Sequence, residues 1–237
     1  MAKIVAQIKQ WSYSRLRDYK KCAQMAKFKY IDKMRDDGSP AMERGNALHT
    51  ALERFIVGAA KKFEENTNPE FKPYDIERHK NLVLAMRKAY PTGRVHIEQQ
   101  WAFTKDWVRC DWFAPDVYYR SKMDVAVEAT RKIYGYDHKS GRFRPGEYDD
   151  QLFQYCIALL LVFPEAEEAV VELLFYDCDV LTPVRKTLKR AFLQQAIERL
   201  EREAAPMLAD KRFAPTPGQH CMWCPGSKKR GGPCQVG

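Results

Sequence analysis

The residues best suited to chemistry lie in two short stretches, Met123-Asp124-Val125 and Tyr136-Asp137-His138-Lys139-Ser140-Gly141. An aspartate in one apolar run is followed, thirteen positions on, by Asp-x-Lys in another. If the two runs form a hairpin turning between Thr130 and Arg131, Asp124 and Asp137 stand directly opposite each other. Lys139, two positions along, then shares their face. Met123, Val125 and Val127 alternate with Asp124, Ala126 and Glu128, which sets Asp124 on the face away from the apolar stripe. Aspartate is depleted in strands, so its presence there needs a reason. Two carboxylates beside a lysine make either a plain ion pair or a place that holds a divalent cation and attacks a phosphodiester. That hydrolysis needs shielding of negative charge on the phosphate and a water made nucleophilic near neutral pH. A bound Mg2+ or Mn2+ supplies both, and carboxylate oxygens are its natural ligands.

Elements on either side must position this hairpin. Trp11 to Lys33 reads as one helix, capped by Ser12 or Ser14 and ended by Gly38-Ser39-Pro40. A second helix, about Ala41 to Ala60, carries Leu48, Ala51, Leu52 and Phe55 on one side, with His49 and Glu53 one turn apart. Asn66 to Tyr74 is a polar, proline-containing linker, followed by a helix up to Tyr90. From Val95 the period changes, and Val95 to Phe103, Asp116 to Glu128, Lys132 to Lys139 and Glu168 to Tyr176 read as strands. Glu147 to Val162 is a helix that Pro164 terminates, and a final helix spans Val184 to Leu208. Helices, three strands, helix, strand and helix indicate an α/β core in one elaborated domain.

Forty Lys and Arg against thirty-one Asp and Glu leave a net charge of +9 over 237 residues, a surplus that suits nucleic acid. Met1-Ala2-Lys3 leads into a polar stretch rather than a secretory signal, and Ile157 to Phe163 is too short to span a bilayer. The expectation is a cytoplasmic protein with no membrane partner. Seven cysteines, an odd count, argue against a disulfide framework in that compartment. Cys221, Cys224 and Cys234 crowd the last seventeen residues, a Gly-, Pro- and Lys-rich segment that cannot order itself by burying apolar surface. Cys221-Met-Trp-Cys224 has the spacing that lets two sulfurs reach one metal, and His220 or Cys22 is available as a fourth ligand. Cys110, Cys156 and Cys178 sit in apolar patterns and read as buried, inert thiols. Arg15, Lys20, Lys21, Lys27 and Lys29 beside Cys22 are either a solvated face or a strip that tracks phosphates.

Asp124 followed by Asp137-x-Lys139 resembles the core of the PD-(D/E)XK nucleases. The rest of the chain resembles the RecB-like branch, which includes the AddB-type nuclease domains and the CRISPR-adaptation nucleases. Gly45-Asn-Ala-Leu-His49 is similar to that branch's Gly-x-x-x-His helix, and Gln151-Leu-Phe-Gln-Tyr155 to its Gln-x-x-x-Tyr helix. The resemblance implies a restriction-endonuclease-like core, a central mixed sheet flanked by helices, within a single domain over 1–237. It divides into a helical N-terminal part at 12–94, the nuclease core at 95–180, and a C-terminal helix with a cysteine-rich tail at 181–237. It further implies that His49, Asp124 and Asp137, with the His138 backbone carbonyl, bind Mg2+ or Mn2+, and that Glu98 supports them. Lys139 would orient the water or neutralise the transition state, while Gln151 and Tyr155 point back at the site and the DNA backbone. Cys22 with Cys221, Cys224 and Cys234 reproduces the one-plus-three layout of that branch's 4Fe-4S cluster, with zinc as the alternative. The stretch between Cys224 and Cys234 is longer than that pattern and carries a basic insertion, Lys228-Lys229-Arg230.

The function so implied is an exonuclease on single-stranded or unwinding DNA ends. No Gly-x-x-x-x-Gly-Lys-Ser/Thr loop is present, so the nuclease either stands alone or works with a separate helicase or a recombination or CRISPR partner. A compact nuclease of this kind suits a bacterium or a phage-infected cell. The alternative is a non-catalytic nucleic-acid-binding protein of nuclease-like fold; the intact Asp, Asp, Lys and His set speaks against it.

Overall fold

The computed structural model describes residues 7–35, 38–63, 74 and 76–236. Met1-Ala2-Lys3 and the linker expected at Asn66–Tyr74, apart from Tyr74, lie outside them. The strands are β1 Val95–Phe103, β2 Arg109–Cys110, β3 Tyr119–Ala129, β4 Lys132–Lys139, β5 Glu168–Phe175 and β6 Val184–Lys189. They form one sheet in the order β2-β1-β3-β4-β5-β6. The β4–β5 pairing is parallel, whereas β1–β2, β3–β4 and β5–β6 are antiparallel. The helices are α1 Tyr13–Lys21, α2 Ala23–Tyr30, α3 Pro40–Ile56, α4 Lys80–Ala89, α5 Asp149–Val162 and α6 Leu193–Ala209. This is the expected α/β class, a mixed sheet with helices around it. No helix among the described residues is long and apolar enough to cross a membrane.

The chain forms two compact units, one of Met1–Asp37, Ala102–Arg120 and Gln195–Gly237, the other of Gly38–Trp101 and Ser121–Gln194. The second unit carries the hairpin. Its Ala129↔Lys132 and Val125↔Tyr136 pairs put the turn at Thr130-Arg131, and Arg131 adopts the left-handed φ of 58° that a tight turn requires. Continued by one residue, this register sets Asp124 opposite Asp137, as the spacing predicts. α3 starts where Ser39 accepts the Met42 N–H at 3.2 Å and Pro40 fixes the first turn. Leu48, Ala51, Leu52, Phe55 and Ile56 then bury its apolar face against Val83 and Met86 of α4 and against Val125 and Leu174 of the sheet. α5 packs against β4, β5 and β6. Gly135 permits its close approach, since a Cβ there would stand 2.8 Å from Leu159 Cδ1.

In the first unit Trp11, Phe103, Trp107 and Tyr119 form an aromatic core, with the Trp11 and Tyr119 rings 4.7 Å apart. Trp107 Nε1 donates to Glu201 of α6 at 2.9 Å. Of the cations near Cys22, Lys20 and Lys21 are exposed, Arg15, Lys27 and Lys29 are half-buried, and three are ion-paired. Lys20 meets Glu203 at 2.7 Å, Lys27 meets Asp32 at 2.6 Å and Lys29 meets Asp18 at 3.3 Å.

Four expectations need correction. The single helix over Trp11–Lys33 is two helices, because Cys22 is extended at φ −162°. Its N–H closes α1 on Asp18, and its Sγ accepts the Met25 N–H at 3.5 Å to begin α2. The helix expected from Val184 starts only at Leu193, after the strand β6. Val184-Arg-Lys-Thr-Leu-Lys189 is rich in helix-forming cations, but these belong to a charged sheet edge, where Arg185 pairs with Glu172 across β5. β3 begins at Tyr119 rather than Asp116, and the short β2 has too few residues to leave a periodic signal. Cys110 and Cys178 are half-buried; of the three thiols expected to be buried, Cys156 is.

Candidate active site

Three elements of the second unit converge on Asp124, which is 9 % exposed. From across the hairpin, the His138 N–H donates to Asp124 Oδ2 at 2.7 Å. From α3, His49 brings Nδ1 to 3.3 Å from Asp124 Oδ1. From β1, Glu98 Oε1 comes to 3.6 Å from the same Nδ1. One ligand atom from each of His49, Glu98 and Asp124 lies within 4.8 Å of the other two, a spacing that one cation can bridge. Glu98 reaches the cluster through an unusual backbone, with a φ of 48° inside a strand, where a left-handed residue bends the chain and re-aims its side chain.

Asp137 faces a different set of partners. Its Oδ2 is 2.6 Å from Lys139 Nζ, and its Oδ1 accepts from Tyr155 OH at 2.9 Å and from Gln151 Nε2 at 3.2 Å. Gln151 and Tyr155 are four apart on α5, one above the other, and Gln151 Nε2 also donates to Tyr155 OH at 2.9 Å. All of the expected site residues on β3, β4, α3 and α5 therefore meet. Asp137 holds the lysine rather than belonging to the three-residue cation cluster, whereas Glu98 does belong to it.

The His138 carbonyl, expected to face the ion, accepts from His49 Nε2 at 3.0 Å. That bond fixes the ring so that Nδ1 points at the carboxylates, the usual outer-shell arrangement of a metal-binding histidine. The His138 side chain lies on the opposite face, with Nδ1 3.1 Å from Tyr176 OH. Burial, and then the charges of His49, His79 and Lys139, hold it well below the usual histidine range, so it stays neutral.

The electrostatics fit a cation. Burial opposes charge on His49, but hydrogen bonds to Asp124 and Glu98 and the charges of Asp124 and Asp137 outweigh it and push the imidazole up to about 10. Burial and the neighbouring Asp137 push Asp124 up to about 6, against the pull of His49 and the His138 N–H. A positive charge between Asp124 and Glu98 is thus favoured, and a divalent ion bound through His49 Nδ1 would replace the proton there. Tyr155 is held well above its ordinary value by burial and by Asp137 and Asp124, so its hydroxyl remains a donor.

Sequence patterns gave no sign of Arg44 and Asp177. Arg44 Nε donates to Asp177 Oδ2 at 2.9 Å, while Asp177 Oδ2 also accepts the Gly141 N–H at 3.0 Å. This pair secures the loop that follows Lys139. Arg44 stands beside Gly45 and Asp177 two residues beyond the end of β5, places that no local pattern marks.

The first unit gathers Cys22, Cys221, Cys224 and Cys234 around one small cavity, so Cys22 does join the tail cysteines; His220 lines the same cavity, its Nε2 buried without a hydrogen bond. All four cysteines are free. Cys22 Sγ accepts the N–H groups of Met25 and Thr216 at 3.5 and 3.4 Å. Burial pushes the Cys224 thiol up, and the sulfurs of Cys22, Cys234 and Cys221 add to this, against the Gly226 N–H. Four sulfurs that repel one another as thiolates are the donor set that a bound metal neutralises, and they suit iron–sulfur and zinc alike.

A family model described as the PD-(D/E)XK nuclease superfamily matches residues 10–228. The chain belongs to that superfamily. Its mixed sheet with flanking helices is accordingly the restriction-endonuclease-like fold. A solved structure named "Crystal structure of SSO0001" is 13 % identical and aligns over 99 % of this chain and 90 % of that one, with a TM-score of 0.41. A "Putative exonuclease" from Eubacterium rectale is 12 % identical over 86 % of this chain and 81 % of that one, with a TM-score of 0.47. No curated protein sequence matches.

Proposed function

We propose that the chain is a metal-dependent deoxyribonuclease of the RecB-like branch, an exonuclease acting on single-stranded or unwinding DNA ends. The observation that carries this reading is the approach of His49, Glu98 and Asp124 to one another, with Lys139 held by Asp137 on the adjoining strand. His49, Glu98 and Asp124 would hold Mg2+ or Mn2+, with Asp137 alongside. Bound there, such an ion would supply shielding of charge on the phosphate and a more acidic water. Lys139, fixed by Asp137, orients that water or neutralises the charge that develops on the phosphate oxygens. Gln151 and Tyr155 hold the second oxygen of Asp137, so the carboxylate keeps its ammonium partner in place as the phosphate charge grows. Cys22, Cys221, Cys224 and Cys234 would hold a structural 4Fe-4S cluster; anaerobically purified protein would then be brown, and colourless protein with stoichiometric zinc assigns the site to zinc instead.

End-labelled single- and double-stranded DNA incubated with Mg2+ or Mn2+ tests the reading directly. Wild-type protein should cut, and Lys139→Ala should bind DNA but cut at least about 10²-fold more slowly, the loss typical of removing one donor to a developing anion. Cleavage by Lys139→Ala at the wild-type rate removes the lysine from the mechanism; no cleavage by wild type with either ion favours the non-catalytic binding protein.

A further inference from the structure

The insertion between Cys224 and Cys234 has no part in the chemistry above. From residue 211 to 236 the chain carries Lys211, Arg212, Lys228, Lys229 and Arg230 and no Asp or Glu. Lys228–Arg230 form a 3-10 turn, closed by Gly231 at φ 75°, with all three cations exposed. Beside it stand Trp223, 51 % exposed, and Met222, 66 % exposed. Arg230 Nη1 donates to the Trp223 carbonyl at 3.0 Å, which ties the cationic turn to the aromatic one.

This exposure is built into the tail. Trp223 N–H donates to His220 O at 3.2 Å, Gly232 N–H to Ser227 O at 2.8 Å and Cys234 N–H to Gly226 O at 2.9 Å. Gly226 seats the segment on α2 so closely that a Cβ would lie 2.0 Å from the Phe28 ring. A large aromatic held out in solvent next to an apolar neighbour and the exposed Lys228 and Lys229, in a segment whose own sequence holds no acid, combines the two parts of a strand-binding surface. These are a ring for a base and positive charge for the phosphates.

We propose that Trp223 is a stacking platform for an unpaired base, with Met222 widening its apolar face and Lys228 and Lys229 contacting the flanking phosphates. The ligand is single-stranded DNA, because only an unpaired base offers its face to a side chain. The choice of DNA rests on the nuclease reading; the stacking site itself does not.

Anisotropy of a fluorescein-labelled oligothymidylate, read without added Mg2+ or Mn2+ so that no cleavage occurs, separates the two. Trp223→Ala should weaken binding about 5- to 100-fold, the worth of one stacked base, while Trp223→Phe keeps most of it. Lys228→Ala with Lys229→Ala should flatten the slope of log affinity against log salt by about 1.4, two single-strand phosphates' worth. Binding of a blunt duplex of equal length should change little in Trp223→Ala. Circular dichroism and an unchanged melting temperature show that each variant is folded. Oligothymidylate bound by Trp223→Ala as tightly as by wild type overturns the proposal and points to an acidic protein as the occupant. An equal loss on the duplex also overturns it. Neither result bears on cleavage by the Asp124–Lys139 site, and a failure of Lys139→Ala to impair cleavage leaves the stacking result intact.

Discussion

The carboxylate–histidine site and the cysteine knuckle belong to different units and are held by different means. In the first, regular backbone does the positioning: hairpin register sets Asp124 against Asp137, helical spacing aligns Gln151 with Tyr155, and α3 delivers His49. Every carboxylate oxygen of Asp124 and Asp137 has a donor or a cation from the protein itself. Around Cys221 and Cys224 no element is longer than a 3-10 turn, and the order comes from loop hydrogen bonds, two N–H groups on Cys22 and the contact of Gly226 with Phe28. One site is thus ordered by regular secondary structure, and the other by turns and loop hydrogen bonds. Substitutions in the first should strike activity and spare stability; in the second the order reverses.

The largest effect on stability should come from Gly226→Ala. A methyl group forced into the Phe28 ring should cost about 3 kcal/mol, at the upper end of overpacking penalties, read by denaturant unfolding, with the folded fraction still cutting DNA. Unfolding at the wild-type midpoint would show that the knuckle tolerates slack and would erase the contrast.

A smaller effect concerns pH. His49 is pushed from 6.5 up to about 10, so its charge stabilises the metal-free fold fully below about pH 6.5, and this contribution is lost as pH rises through about 10. A divalent ion competes with that proton. Affinity for Mn2+ should therefore tighten by about tenfold per pH unit within the window, with one proton released per ion. Calorimetry in two buffers of different protonation enthalpy measures that proton directly, and an affinity flat in pH would exclude His49 as a ligand.

The smallest change should follow from Tyr155→Phe, which deletes one of two donors to Asp137 Oδ1 and leaves Gln151. About 1 kcal/mol, or roughly fivefold in cleavage rate, is expected, with little shift in melting temperature. A loss as deep as that of Lys139→Ala would mean that the tyrosine touches substrate.

What was legible in the sequence followed periodicity. β1 and β4 have the bounds that their alternation predicts, and the hairpin register follows from counting residues to Thr130-Arg131. The hidden features were those in which a residue acts against its habit. Cys22 interrupts a helix with no glycine or proline to mark the break, by capping with sulfur. The cations of β6 read as helix-formers until β5 supplies the partner strand. Arg44 and Asp177 meet across 133 positions, a separation that no local pattern registers.

Glu98 also acts against habit, and its backbone has a cost. A non-glycine side chain at a φ of 48° carries about 1–3 kcal/mol of strain, and glycine at this position would relieve it. Selection for heat tolerance alone should therefore drift toward Glu98→Gly and yield hardier protein with an impaired cation cradle. The position is one where durability and catalysis pull in opposite directions.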